Sequence, residues 1–299
     1  MRIGISVCSL HFVDDPRTGA QHMVERTAAA RAAGLDSLFV GDHHVTAAPY
    51  YQNNVILARM LAEWGSKPFG ALYLLPLWHP VLLAEQIGTL ASLSEGPFIM
   101  QCGLGDEPQG IRMGIDLSKR VGMFTASLNV LRQLWAGESI SEGRYWGIDQ
   151  ARISPVPPDP VEIWVGATAD QAIRRTARLG DAWLASPGLT LRQAADGISR
   201  YHRYSEEYDR KSTASAIRRD MYVGESAEEA VRTVSPYIDK GYRGIDPEAL
   251  LIGSIEQVSE QLRALKTLGY TDVIVRNISQ DQSQCLASIE RLAEVRAEL

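Results

Sequence analysis

Short apolar runs alternate with amphipathic helical patterns along the whole chain, and this alternation restricts the possible fold more than any other feature. Repeated strand–helix–strand units are right-handed, and a series of them either closes into a barrel or opens into a doubly wound sheet. Strand patterns fall on Arg2 to Ser9, Ser37 to Val40, Phe69 to Leu75, Phe98 to Gly103, Glu162 to Val165, Ala182 to Ala185, Ala216 to Val223 and Asp272 to Val275. Helical patterns follow at Gln21 to Ala33, Val55 to Trp64, Val81 to Leu93, Arg120 to Ala136, Asp170 to Leu179, Leu191 to Arg210, Ala227 to Lys240, Ile255 to Leu268 and Ser283 to Glu298. Gly34, Gly65 and Gly137 stand where helices stop, the position that favours glycine. The stretch from Glu138 to Pro160 breaks the rhythm with Gly143, Gly147 and four prolines, and reads as an insertion with a small hairpin across Ile140 to Ile148. A loop around Gly244 and Gly253 separates the last two helices before the final strand.

Eight strands in 299 residues favour one α/β domain, a (β/α)8 TIM barrel over 1–299 with an insertion at about 138–160, after the fourth βα unit. An open dinucleotide-binding sheet would show a glycine-rich turn directly after its first strand. Ser9-Leu10-His11-Phe12 stands there instead.

Composition narrows the function. The formal net charge is -6, with Lys and Arg scattered, so nothing draws the chain to nucleic acid or to an anionic membrane. Cys8, Cys102 and Cys285 are too few and too dispersed for a disulfide framework. The N-terminus reads as a strand and no apolar run reaches the length of a membrane span. The expectation is a soluble, cytoplasmic enzyme acting on a small molecule.

Active sites of such barrels lie at the C-terminal ends of the strands. That rule selects Cys8, Ser9 and His11; Asp42, His43 and His44; Pro76, Trp78 and His79; Gly103, Gly105, Asp106 and Glu107; and Gly166 to Asp170. Within Asp42-His43-His44 an imidazole can serve as a base near neutral pH, although both histidines could equally hydrogen-bond the loop. Adjacent histidines rarely chelate one ion from a strand end, and no distant His-x-His pair accompanies them, so no metal site is assigned. Trp164-Val165-Gly166-Ala167-Thr168-Ala169-Asp170 opens a helix with small residues, which lets backbone N–H groups approach a phosphate; capping and packing explain the same pattern. Phe69 to Pro76 is nearly devoid of polar groups, fit for a flat apolar wall or simply for barrel core.

In combination these segments resemble the bacterial-luciferase-like family of flavin-dependent oxidoreductases. The resemblance rests on Leu38-Phe39-Val40-Gly41-Asp42-His43-His44, on Leu74-Leu75-Pro76-Leu77-Trp78-His79-Pro80 with Leu83-Ala84-Glu85-Gln86 and Leu93-Ser94-Glu95-Gly96, and on Arg178-Leu179-Gly180-Asp181-Ala182-Trp183 and Leu251-Ile252-Gly253-Ser254. It implies a monooxygenase using reduced FMN and oxygen, or hydride transfer with the deazaflavin coenzyme F420, or a flavin-binding relative without turnover. It implies His43 as catalytic base, and a cofactor set of Cys8, Ala71, Leu72, Gly103, Gly166, Ala167, Thr168, Ala169 and Asp170. A cis peptide at Ala71–Leu72 would back the ring, and His11, His44 and Trp78 would line the substrate pocket. A separate flavin reductase and a homodimer are the implied partners. Leu104 stands where the luciferase branch carries a phosphate-contacting arginine, which weakens FMN; the histidine pair leans toward the monooxygenase branch.

Overall fold

Each strand that begins a βα unit pairs in parallel with the next until the ring closes. The computed structural model describes residues 1–299. The elements are β1 (Arg2–Val7), α1 (Pro16–Ala32), β2 (Ser37–Val40), α2 (Asn53–Trp64), β3 (Phe69–Leu74), α3 (Pro80–Ser92), β4 (Phe98–Gly103), α4 (Glu107–Met113) and α5 (Arg120–Trp135). Then come β5 (Ile140–Glu142), β6 (Ile148–Ala151), β7 (Glu162–Gly166), α6 (Asp170–Leu179), β8 (Ala182–Ala185), α7 (Leu191–Glu207), β9 (Ala214–Val223), α8 (Ala227–Ile238), β10 (Leu251–Gly253), α9 (Ile255–Thr267), β11 (Asp272–Asn277) and α10 (Gln282–Ala297). The parallel ladder runs β1-β2-β3-β4-β7-β8-β9-β11 and closes from β11 onto β1, so the chain is a (β/α)8 barrel. β5 and β6 form the antiparallel hairpin expected in the insertion. No helix is long and apolar enough to cross a membrane.

Strand alternation sorts side chains into two cores. Phe39, Ile99, Trp164, Ala182, Leu184, Ala214, Ala216 and Ile274 fill the barrel lumen. Their neighbours, such as Leu38, Val40, Met100, Val165 and Trp183, face outward into the larger apolar shell shared with the helices. Gly70 is required by the closeness of β3 and β4: a Cβ there would stand 1.8 Å from the Ile99 carbonyl oxygen.

Four elements depart from the sequence pattern. Helix α1 begins at Pro16, earlier than its apolar face suggests, because Asp15 caps it by accepting from Arg17 N (3.0 Å) and Thr18 N (3.2 Å). Helix α4 occupies residues that the sequence pattern leaves as strand-end loop; Asp106 caps it and Pro108 sits in its first turn. Strand β10 falls in the expected loop near Gly253, too short to show a period. The cis bond expected at Ala71–Leu72 is trans; the cis peptide of this chain is Ser154–Pro155. All six β3 residues, Ala71 and Leu72 included, keep regular parallel register with β4.

Candidate functional site

Asp42, just past β2, organises one side of the barrel mouth. Its side chain is almost wholly buried, which for a carboxylate demands donors. Oδ2 accepts from Leu74 N (2.8 Å) and from Trp78 Nε1 (2.8 Å), and Oδ1 from Asn53 Nδ2 (3.4 Å). Asn53 in turn donates to the Leu72 carbonyl (2.9 Å), so β2, β3 and α2 meet at this carboxylate.

The two histidines have different surroundings. His44 Nε2 lies 3.1 Å from Asp42 Oδ1 without the alignment of a hydrogen bond, and its ring meets Trp78 edge-on at 5.5 Å. Its backbone N–H donates to Gln109 Oε1 (2.9 Å), and Gln109 Nε2 donates to Asp106 (2.7 Å). Thus α4 clamps the His43–His44 turn. His43 packs against Tyr50, with ring centroids 5.7 Å apart. The Asp106 carboxyl is held below its usual range: burial alone would raise it, but hydrogen bonds from Gln109 and the charge of His43 outweigh that. His43, partly exposed, therefore has an acidic neighbour within Coulombic reach, whereas His44 is built into the wall.

The floor of the mouth carries a charge cluster that reading strand ends did not find. Arg218 and Asp220 on β9 and Arg276 on β11 occupy the inward positions above the lumen core. Arg276 donates to Cys8 Sγ (2.9 Å), and Arg218 donates to Ser6 Oγ (3.2 Å). Asp220 is fully buried and accepts from Tyr242 OH (2.9 Å) and from Arg243. Burial, with Arg276 close by, pushes Arg218 down to about 10. Burial would also lower Arg276, but Cys8 and Asp220 reverse the direction. Tyr50 is pushed up to about 12, first by burial. Gln101 on β4 faces the same floor with a buried Nε2 that has no partner. The available signal was parity: Arg218 is two positions from Ala216, and Arg276 two from Ile274, both lumen residues.

Across the mouth, β7 ends at Gly166 and α6 begins at Asp170. No side chain caps α6, whose N-cap is Ala169. Gly166 is exposed, and a Cβ there would meet only the Cys102 carbonyl oxygen, at an ordinary contact distance of 3.4 Å. Trp183 Nε1 donates to the Ala167 carbonyl (2.9 Å) and fixes the turn. The Asp170 carboxylate, unwelcome beside an anion, is drawn off by Tyr204 OH (2.8 Å) and by Arg200, 3.6 Å away. Thr168 is exposed at the turn and borders a small cavity with Arg200. Uncapped N–H groups, an exposed glycine, an exposed hydroxyl and a diverted carboxylate fit the phosphate of a flavin or deazaflavin. The free Gln101 amide and the inward Leu72 fit the edge and face of its ring.

Not every expected residue joins this arrangement. The Ala71 side chain is buried in the shell between barrel and helices, because it has the opposite parity from Leu72. Gly103 closes β4 beside Leu74. Trp78 is tied to Asp42 and wedged between His44 and Tyr73, so it supports the wall. His11 stacks on Tyr51 at 4.7 Å and lines a separate cavity between β1 and β11.

Comparison with known proteins places this architecture. The family described as luciferase-like monooxygenase matches residues 1–249. An F420-dependent glucose-6-phosphate dehydrogenase of Nakamurella multipartita is 27% identical over 214 residues, 64% of this chain and 62% of that protein. One from Beutenbergia cavernae is 29% identical over 203 residues, 63% of this chain and 57% of that protein. The chain thus spans about three fifths of the length of the curated relatives it matches. Among solved structures, the oxygenating constituent of 3,6-diketocamphane monooxygenase from Pseudomonas putida, in complex with FMN, superposes with a TM-score of 0.80 at 19% identity, covering 98% of each chain. An F420-dependent secondary alcohol dehydrogenase superposes with a TM-score of 0.83 at 16% identity, covering 99% of this chain and 98% of that one. At such identities the structures speak for the fold alone. With the profile match extending over most of its length, the chain belongs to the luciferase-like monooxygenase family.

Proposed function

We propose that the protein is an oxidoreductase that binds a deazaflavin of the F420 type across the barrel mouth and oxidises an alcohol substrate by hydride transfer. The observation that carries the reading is His43, a partly exposed imidazole just past the C-terminal end of β2, flanked by Tyr50 and within reach of the Asp106 charge. A bound deazaflavin supplies a two-electron hydride acceptor. His43 takes the hydroxyl proton as the substrate C–H bond gives up its hydride, and Asp106 stabilises the imidazolium formed. Asp42, through Trp78 and His44, holds the wall on which His43 is mounted. The turn from Gly166 to Asp170 anchors the phosphate, and Leu72 and Leu184 keep water from the ring. The sequence relatives bearing F420-dependent names put the deazaflavin first.

The second reading is an FMN monooxygenase fed by a separate flavin reductase. The paired His43 and His44 favour it, as does the FMN-bound structure of the same fold. A homodimer goes with either reading, and a sedimenting mass of 32.9 kDa would remove it. The deciding experiment titrates cofactor-free protein with F420 and with reduced FMN under anaerobic conditions, reading fluorescence. A micromolar Kd for F420, about -8 kcal/mol, is expected. Reduced FMN binding without F420 binding overturns the first reading in favour of the second.

A further inference from the structure

One cavity at the barrel mouth has basic walls. It lies beneath the rim between β1 and β11, with a volume of about 150 Å³. Cys8, His11, His22, Arg26, Arg243 and Arg276 line it, and no Asp or Glu does, in a chain whose formal charge is -6. Behind this wall Asp220 faces Arg243, Arg276 and Arg218, and Asp281 lies within Coulombic reach of Arg26, two carboxylates for four guanidiniums. Arg26 is held by neutral partners, donating to Gln282 Oε1 (2.8 Å) and to the Gln280 carbonyl (3.3 Å). Arg276 Nε and His11 Nδ1 are both buried without a partner. Cations gathered in a poorly solvated recess with too few counter-charges are costly unless an anion joins them.

The position of the cavity says which molecule brings that anion. Strand β7, which carries the uncapped turn for the cofactor phosphate, stands four places from β1 in the closed ring and so faces it across the mouth. The recess is also far smaller than the roughly 300 Å³ at which ligand pockets begin, enough for a charged head group and not for a ring system. The two ends of one mouth therefore offer separate anion subsites.

Resting on the cofactor placement proposed above, we infer that the substrate is an organic oxyanion whose phosphoryl or carboxylate group docks in the recess formed by Arg26, Arg243 and Arg276. The guanidiniums offer paired N–H donors matched to such groups. The rest of the substrate extends past Cys8 toward His43.

The test is calorimetric titration of the cofactor-free full-length protein with inorganic phosphate, sulfate and acetate, repeated on Arg276→Gln, Arg26→Gln and Ala167→Asp. At least one of these anions should bind wild type with a Kd on the order of millimolar. Preference for phosphate or for acetate identifies the head group. Arg276→Gln and Arg26→Gln should each weaken binding about tenfold, equivalent to about 1.4 kcal/mol. Ala167→Asp, which closes the turn for the cofactor phosphate, should leave the arginine-dependent part of the binding in place. Because Arg276→Gln removes a partner of Asp220, its circular dichroism is checked; Arg26 is remote from that carboxylate, and Arg276→Lys should retain binding. Failure of all three anions to bind at about 50 mM overturns the inference. So does binding that survives both arginine variants and disappears in Ala167→Asp, since the anion would then sit at the Gly166 turn. Failure of the cofactor reading shows separately, as wild type that binds neither F420 nor reduced FMN.

Discussion

Replacement of Asp42 tests the argument that one buried carboxylate holds the wall of the mouth. In Asp42→Ala, Leu74 N–H and Trp78 Nε1–H, both now 2.8 Å from Oδ2, lose their acceptor. An unsatisfied buried donor costs about 1–3 kcal/mol, and Trp78 is only half-buried, so the pair should cost about 3 kcal/mol. Asp42→Asn keeps one oxygen but loses the charge, and should cost about half as much. Urea denaturation of both variants, compared at constant m value, measures these losses. A double-mutant cycle with Trp78→Phe isolates the indole bond: removing the donor first should make Asp42→Ala milder by about 1 kcal/mol. If Asp42→Ala costs under about 0.5 kcal/mol, or adds independently to Trp78→Phe, the carboxylate is not the hub described here.

His43→Ala should lower turnover about 100-fold with cofactor affinity nearly unchanged, while His44→Ala should lower the melting temperature more than the rate; single-turnover kinetics and thermal scans on both decide which imidazole reacts. Thr168→Ala should weaken cofactor binding by about 1 kcal/mol, and Ala167→Asp by much more, as read by fluorescence titration. Gly70→Ala, whose Cβ would press on the Ile99 carbonyl at 1.8 Å, should yield no soluble folded protein, or one at least about 3 kcal/mol less stable. Burial raises the Cys285 thiol from its usual 9.0 to about 11, so the unfolded chain ionises first and stability falls as pH rises between those values; Cys285→Ala should flatten that slope in urea midpoints taken at both ends of the window.

The order of barrel strands was legible because most of them are buried on both faces and read as mainly apolar runs, β9 with Arg218-Arg219-Asp220 being the exception. Ser37–Val40, Phe98–Gly103, Asp170–Leu179 and Ala182–Ala185 fall where the pattern puts them. Leu251–Gly253 did not, since three residues carry no periodicity and its place depends on a distant partner, Met221–Val223. The site was legible in part. Asp42-His43-His44 and the Gly166 turn are contiguous in sequence and lie at strand ends. Arg218, Asp220 and Arg276 are scattered over two late strands, and the Arg218-Arg219-Asp220 run does not reveal which charges face inward until the register is known. Helix α4 does leave a sign in the sequence: Asp106 followed by Pro108 is a helix start, and it also explains why Gln109 reaches His44.

Strand β9 has ten residues where β8 has four, and their ladder ends at Ala185 opposite Ile217. Beyond that point β9 rises about 20 Å further, with β10 joining its upper end at Met221 to Val223. Between Ile217 and Met221 this edge of β9 has no strand partner, and a side chain ties it to the loop that follows β8. Arg219, turned outward, donates to the Pro187 carbonyl (3.2 Å) and to the Leu189 carbonyl (2.8 Å). The barrel is therefore stitched at this seam and not woven, and the stitch lies directly behind Arg218 and Asp220. Motion of the loop after β8 relative to the upper half of β9 would load this one guanidinium at the back of the charged floor, while the ladder below, from Ala182 to Ala185, stays paired.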